Sequence, residues 1–456
     1  MQKVLIAPWG NFSNWKKAIY LFDGIEKESK SSISAIYEKI NPDKVYILVL
    51  DTLSNLESEN YEDIVKEVRE KTSEYIEANL DISNYEVIVC PGVGTFPNGK
   101  FFGNLADYYS YTLYELSKRF DGDLEVHLDL THGLNYMPVL TYRAVKDLLD
   151  ILSIKNNVKL TVYNSDPYVG REKETLNIHI VEDINIIPSY NIKGFTTNIV
   201  NTTKFLEKKE KGKIMKNVNS NPKIKELKEL KQNINTFLAS LVYALPLTYS
   251  TFFVKSEVIK DKIDEIIKLY ISNIVIDSKN KELKRHLKFE EGFNNLVKAY
   301  FASKVCEVPE LIKDELSLKE IKELKNLLFE ENPRAQFIEN EIASIYNIIN
   351  TKYNLKELRE LLEKWIPVYK FRKETADKFN IRNFLAHAGF EKSITEIYIS
   401  LNENLNIEKT LLRYNKEYIE EKNGIKKFIY KYNDKAGKSE STDILEKIEN
   451  ELLNKK

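Results

Sequence analysis

Apolar residues follow two different rhythms along the 456-residue chain. Up to about residue 200 they come in short, nearly continuous runs: Val4 to Ala7, Lys44 to Leu50 (KVYILVL), Glu86 to Cys90 (EVIVC), Glu125 to Leu130 (EVHLDL) and Lys159 to Tyr163 (KLTVY). Leu176 to Val181 (LNIHIV) reads as a sixth run, at a sheet edge. Runs this short and this rich in Val and Ile suit strands buried on both faces. Between them, Tyr61 to Leu80 and Asn104 to Phe120 have helical spacing. Such alternation predicts an α/β, doubly wound, Rossmann-like sheet domain with parallel strands, right-handed crossovers and helices on both sides.

The rhythm changes near residue 200. Residues 207–232 carry nine Lys and four Glu around Asn219, Ser220, Asn221 and Pro222, which predicts a charged linker over 206–232. From about residue 224 the spacing is mostly helical: Phe252 to Asp277, Asn280 to Lys304, Ile321 to Phe329, Ala335 to Asn350 and Leu355 to Trp365. Pro309, Pro333 and Pro367 punctuate these helices. The expected organisation is a domain over 1–205, an all-α domain over 233–306 and 367–456, and a small helical, helix-turn-helix-like insertion over 307–366. Near the end, Thr410 to Tyr418 and Ile425 to Tyr432 are split by Asn423-Gly424, the mark of a hairpin.

Charge and composition narrow the chemistry. A formal net charge of -1 excludes nonspecific coating of nucleic acid, so any such contact must be local. Cys90 and Cys306 stand far apart with no CxxC, which argues against a disulfide framework or thiolate zinc. Gly92-Val93-Gly94 is no dinucleotide fingerprint and a Walker loop is lacking, so NTP hydrolysis is not expected. No signal peptide opens the chain and no apolar run nears the ~18 residues that span a bilayer, so the expected location is cytoplasmic. His127 and His179 fall in strands and His286 on a Lys-rich, solvated helix. Their spacing assembles no metal site, and no metal or cofactor is expected.

The remaining histidines, His132 and His387, are more informative. His387 closes Arg382-Asn383-Phe384-Leu385-Ala386-His387, an Arg-Asn-x-x-x-His segment followed by Ala388 and Gly389. On a helix Asn383 and His387 share a face, while Arg382 is rotated about 140° away at 3.6 residues per turn and must reach round. Phe384 and Leu385 anchor the helix and Gly389 ends it. One helix thus offers an acid/base group, a polar orienter and a permanent cation. That set suits attack of an RNA 2′-hydroxyl on its own phosphate. The bland alternative is a packing or capping histidine. RNFLAHAGF also resembles the signature of HEPN ribonuclease domains. The resemblance implies that two domains dimerise to make one composite site, which cleaves single-stranded RNA without metal and leaves cyclic-phosphate ends.

Ligands of an open α/β sheet gather at the carboxyl ends of its strands. Those ends read Pro8-Trp9-Gly10-Asn11, with Trp15 nearby; Asp51-Thr52; Pro91-Gly92-Val93-Gly94-Thr95; Thr131-His132-Gly133-Leu134-Asn135; and Asn164-Ser165-Asp166. Backbone N–H groups and the Thr, His and Asn side chains of the fourth loop suit a phosphate or a base, although a plain strand-to-helix turn reads the same way. DLTHGLNYMPVL, after a sheet opening with VLIAPWGN, resembles the CARF sensor domains of type III CRISPR ancillary nucleases. The resemblance covers most of the chain, CARF over about 1–200 and HEPN at the carboxyl end. It implies a cyclic oligoadenylate activator, most often the tetramer, bound across a CARF dimer. Thr131, His132, Gly133, Asn135, Gly10 and Asn11 would contact it, with Gly94, Thr95, Asp51 and Thr52 as further candidates.

The expectation is therefore an allosteric endoribonuclease of CRISPR antiviral defence, with self, single-stranded RNA and a cyclic oligoadenylate as partners. Arg382 would hold the scissile phosphate, His387 would act as acid/base or orient the 2′-hydroxyl, and Asn383 would orient substrate or His387. Two alternatives stay open: a non-enzymatic, ligand-controlled nucleic-acid-binding regulator, and a CARF domain that degrades its own ligand.

Overall fold

The computed structural model describes residues 1–170, 174–400, 408–433 and 439–454. They divide into two compact units. One comprises 1–187, 198–224 and 261–301; the other comprises 188–197, 225–260 and 302–456.

The first unit is α/β. It runs β1 (Gln2–Pro8), β2 (Ala18–Phe22), β3 (Ile25–Ser29), α1 (Ile33–Ile40), β4 (Lys44–Leu50), α2 (Tyr61–Asn79), β5 (Tyr85–Cys90), β6 (Gly94–Phe96), β7 (Gly99–Phe102), α3 (Asp107–Arg119), β8 (Leu124–Asp129), α4 (Tyr136–Leu152), β9 (Val158–Ser165) and β10 (Thr175–Asn185). Eight strands form a mixed sheet in the order β3-β2-β10-β9-β8-β1-β4-β5. The strands from β9 to β5 are mutually parallel, while β10 runs antiparallel to β9. Alternate residues feed two cores. Leu5, Ala7, Val45, Ile47, Val87 and Val89 pack with Ile33 and Ile36 of α1 and Val68 and Ile76 of α2. On the opposite face Cys90 Sγ meets Thr112 Oγ1 of α3 at 3.5 Å, and Tyr108 of α3 bonds Thr141 of α4 at 2.7 Å. Helices thus cover both sides, as the alternating rhythm predicts.

Several expectations change. The sixth run is not an edge strand, because the β2–β3 hairpin continues the sheet beyond β10. Residues 206–232 are mostly helix rather than linker, over Lys208–Ser220 and the start of Pro222–Tyr243. Lys and Glu are strong helix formers, Glu207 and Glu210 make a capping box, and Pro222 is tolerated at a helix start. The two helices expected across 252–304 are interrupted. Between helices Ser256–Ser272 and Glu291–Cys306 lie strands Ile274–Asp277, Glu282–Arg285 and Leu287–Phe289. Asn280 bonds back to Asp277 (N to Oδ1, 3.0 Å) and Lys281 takes φ +51°, so the chain turns where a helix would have continued. His286 accordingly sits between two strands, half-buried, and not on a helix. Strands Ile274–Asp277 and Glu282–Arg285 join β7 and β6 in a four-stranded sheet.

The second unit is mainly helical but not all-α. Strands Glu315–Ser317, Leu411–Tyr414, Thr395–Tyr398 and Trp365–Pro367 lie side by side in that order. Thr395 to Tyr398 alternates buried and half-buried, the two-residue period of a strand inside a helical domain. Ile425–Asn433 does turn back at Asn423-Gly424, both at positive φ, but its hairpin partner is Ile419–Lys422 and not the expected run 410–418. No helix among the described residues is long and apolar enough to cross a membrane.

Candidate functional site

The Arg-Asn-x-x-x-His segment forms the short helix Ile381–Ala386 and its cap. Asn380 begins it, its Oδ1 accepting the N–H groups of Arg382 (2.9 Å) and Asn383 (3.2 Å). Phe384 and Leu385 are buried, with Phe384 between the rings of Phe379 and Tyr414. His387 occupies the C-cap, its N–H bonded to Asn383 O at 2.9 Å. Gly389 turns the chain away at φ +85°, where its N–H reaches Phe384 O at 2.8 Å. The helix thus ends one residue before the histidine.

All three predicted side chains reach solvent. Arg382 and Asn383 are exposed, and the His387 side chain is 40% exposed. Among the described residues, the Arg382 guanidinium has no hydrogen bond or ion pair. It borders a cleft of about 500 Å³ together with Lys378, Phe379, Asn380, Asp443 and Lys447; Asn383 and His387 lie outside that cleft. His387 Nδ1 bonds Glu341 Oε1 at 2.7 Å, and Glu341 Oε2 receives Arg372 Nη2 at 2.7 Å. The sequence reading missed Glu341 and Arg372. Glu341 lies 46 residues upstream on an otherwise apolar helix face, and no local spacing signals the contact.

In the α/β unit a cavity of about 700 Å³ opens at the carboxyl ends of β1 and β4. Gly10, Asn11 and Thr52 line it, as expected, beside Trp9, Phe12 and Leu134. Lys71, Glu74 and Tyr75 of α2, with Asn98 from the β6–β7 turn, complete the wall and were not foreseen. Lys71 and Tyr75 recur at helical spacing on a partly exposed face, which looks like any solvated helix in sequence.

The other predicted residues do not line this cavity. Asp51 turns inward and is wholly buried, where it receives Arg285 Nη2, Tyr61 Oη (2.9 Å) and Gly92 N (2.9 Å). Thr131 stitches two loops, donating to Asp129 Oδ1 (2.6 Å) and accepting from Ser165 N (3.1 Å). His132 lies 4.2 Å from the Trp15 ring, and its Nε2 accepts Ser32 N–H at 3.3 Å. Burial lowers the pKa of His132, so it stays neutral and does not attract phosphate by charge. Its carbonyl takes the N–H of Gly10 at 2.9 Å, joining the first and fourth loops. At Gly133 a Cβ would come within 2.7 Å of Pro138, so only glycine fits. Asn135 is exposed at the start of α4, and its side chain makes no capping bond. Gly94 and Thr95 are exposed on β6. Of the remaining histidines, His127 is buried against Tyr163 Oη (2.7 Å) and His179 pairs with Asp166 (2.8 Å).

A sheet unit with a walled cavity at its strand ends, followed by a unit bearing an Arg-Asn-x-x-x-His helix, is the layout of the CARF–HEPN class of proteins. Family models agree: residues 4–167 match the CARF domain, and residues 331–417 the HEPN domain, of CRISPR system endoribonuclease Csx1. The protein is 71% identical, over the whole of both chains, to CRISPR system endoribonuclease Csx1 of Methanocaldococcus jannaschii. The chain belongs to the Csx1 family of CRISPR system endoribonucleases. The HEPN match takes in residues 331–366, most of the stretch expected to be an insertion.

Proposed function

We propose that this protein is a metal-independent endoribonuclease that cleaves single-stranded RNA when a cyclic oligoadenylate, the tetramer by preference, occupies the α/β units of a homodimer in type III CRISPR antiviral defence. The observation that carries the reading is an exposed Arg382 guanidinium, unpartnered among the described residues, and a half-exposed His387 on one six-residue helix and its cap. His387 takes the proton of the RNA 2′-hydroxyl, the 2′-oxygen bonds to phosphorus, and the bond to the 5′-oxygen breaks. The products are a 2′,3′-cyclic phosphate and a 5′-hydroxyl, whose proton comes from a second histidine or from water. Arg382 neutralises the phosphate oxygens as charge builds, and Asn383 orients the strand. DNA lacks the nucleophile and is inert.

One such helix supplies a single cation and a single acid/base group. A two-fold pair supplies the two proton movements that the reaction requires, which supports a dimer. On the sensing side, the cavity bordered by Tyr75, Asn11 and Asn98 offers an aromatic ring and amide groups suited to an adenine. Gly10, Asn11, Thr52 and the exposed Asn135 are the ligand contacts this reading favours; Asp51, Thr131 and His132 hold the loops in place. A gel assay tests the proposal: labelled RNA should be cut in the presence of cyclic tetra-adenylate by the wild type and not by Arg382→Ala. Equal cleavage by both proteins would defeat it.

A further inference from the structure

Residue Glu341 sits on helix Ala335–Thr351 between Ile338, Ile342 and Ile345, all buried, and its own side chain is 9% exposed. A carboxylate on an apolar helix face costs several kcal/mol unless it is paired. Arg372 supplies one partner at 2.7 Å and would suffice for a purely structural ion pair. The second oxygen is instead committed, at 2.7 Å, to a ring that is 40% exposed to solvent.

We infer that Glu341, braced by Arg372, is the positioning residue that fixes the tautomer and the aim of His387. The inference rests on His387 being the acid/base group proposed above. A carboxylate only accepts hydrogen bonds, so Nδ1 of His387 must carry the proton at this contact. Nε2 is then the nitrogen left for chemistry, and among the described residues it has no partner. A neutral ring held this way presents a lone pair to the 2′-hydroxyl. Once it has taken the proton, the imidazolium faces a carboxylate already in place, with no reorganisation needed. Arg372 holds the other oxygen of that carboxylate at 2.7 Å and so fixes its position. The support is fixed as well: Tyr353, just beyond the end of the Glu341 helix, bonds Phe371 O at 2.7 Å, beside Arg372.

The test compares wild type, Glu341→Gln and His387→Ala. The first readout is imidazole ¹⁵N NMR of wild type, with the His387 signals assigned by their loss in His387→Ala. The inference requires the Nδ1–H tautomer, and an Nε2–H tautomer would overturn it. The second readout is steady-state cleavage of a labelled single-stranded RNA with cyclic tetra-adenylate. Glu341→Gln should lower kcat on the order of 10⁴-fold, the size of loss known for the corresponding carboxylate in hydrolases, with KM little changed. Unaltered kcat in Glu341→Gln, with His387→Ala inactive, sinks the positioning role alone. An active His387→Ala sinks the catalytic reading beneath it. Because Glu341→Gln leaves Arg372 buried with a weaker partner, Glu341→Gln/Arg372→Met is measured in parallel and should show the same kcat loss in a chain with the wild-type melting curve.

Discussion

Replacing Asp51 with Ala removes the acceptor of three buried donors in the α/β unit: the guanidinium of Arg285, the hydroxyl of Tyr61 and the amide of Gly92. Arg285 is 1% exposed and Asp51 0%, so water cannot take over. Removing one partner of a buried ion pair typically costs about 3–5 kcal/mol, because the other charge is left uncompensated. Arg285 keeps one contact, Nη1 to Gly92 O at 2.8 Å, which places the expected loss toward the lower part of that range. Asp51→Leu with Arg285→Met removes both charges and should recover most of the loss, since apolar replacements of buried pairs are often neutral. Urea unfolding followed by tryptophan fluorescence suits the test, because Trp9 and Trp15 both lie in this unit. A loss below about 1 kcal/mol for Asp51→Ala, with no recovery in the double variant, would refute the structural role. So would an Asp51→Asn protein that unfolds like wild type yet binds cyclic tetra-adenylate on the order of tenfold more weakly, about 1.4 kcal/mol; Asp51 would then be the ligand contact the sequence suggested.

Further outcomes are expected elsewhere. Gly389→Ala places a side chain at φ +85° and a Cβ 3.1 Å from Tyr414 Oη, which should cost on the order of 1–3 kcal/mol in a melt and depress RNA cleavage by moving His387. Leu134→Trp fills the cavity and should weaken cyclic oligoadenylate binding by calorimetry on the order of tenfold, about 1.4 kcal/mol, without touching the His387 helix. Burial raises the Asp107 carboxyl to about 7. The folded form therefore holds its proton more tightly than the unfolded chain, whose value is near 3.9. The stability this provides is full below about pH 4 and is lost as pH rises through about 7. Urea unfolding of Asp107→Asn should show a flatter profile over that window; an unchanged profile would mean another group carries it.

How far the sequence could be read follows from physical range. Strands β1, β4, β5, β8 and β9 were legible because each is a short, apolar, two-faced run. The β2–β3 hairpin was not: Ile25–Ser29 (IEKES) carries one apolar residue, and its pairing is fixed by the strand beside it. Strand Glu282–Arg285 hid for a related reason, since Arg285, which anchors it inside together with Leu283, looks like surface until Asp51 is placed opposite. In the second unit, the placing of Arg382, Asn383 and His387 on one helix and its cap was legible because their relation is local. Glu341 reaches His387 only through the tertiary fold. The same division holds in the α/β unit. Gly10, Asn11 and Thr52 sit at strand ends, where the α/β topology predicts a site, while Lys71 and Tyr75 enter the cavity from a helix whose sequence shows nothing unusual. Thr131, His132 and Gly133 do lie at a strand end, but their hydrogen bonds and packing are spent on the loops themselves.

The most direct measurement is cleavage of a labelled single-stranded RNA in EDTA, with and without cyclic tetra-adenylate, by the wild type and by His387→Ala. The account predicts cleavage that survives EDTA, rises with the cyclic ligand, leaves cyclic-phosphate ends and disappears in the variant. Cleavage that EDTA abolishes, or that His387→Ala retains, would contradict it.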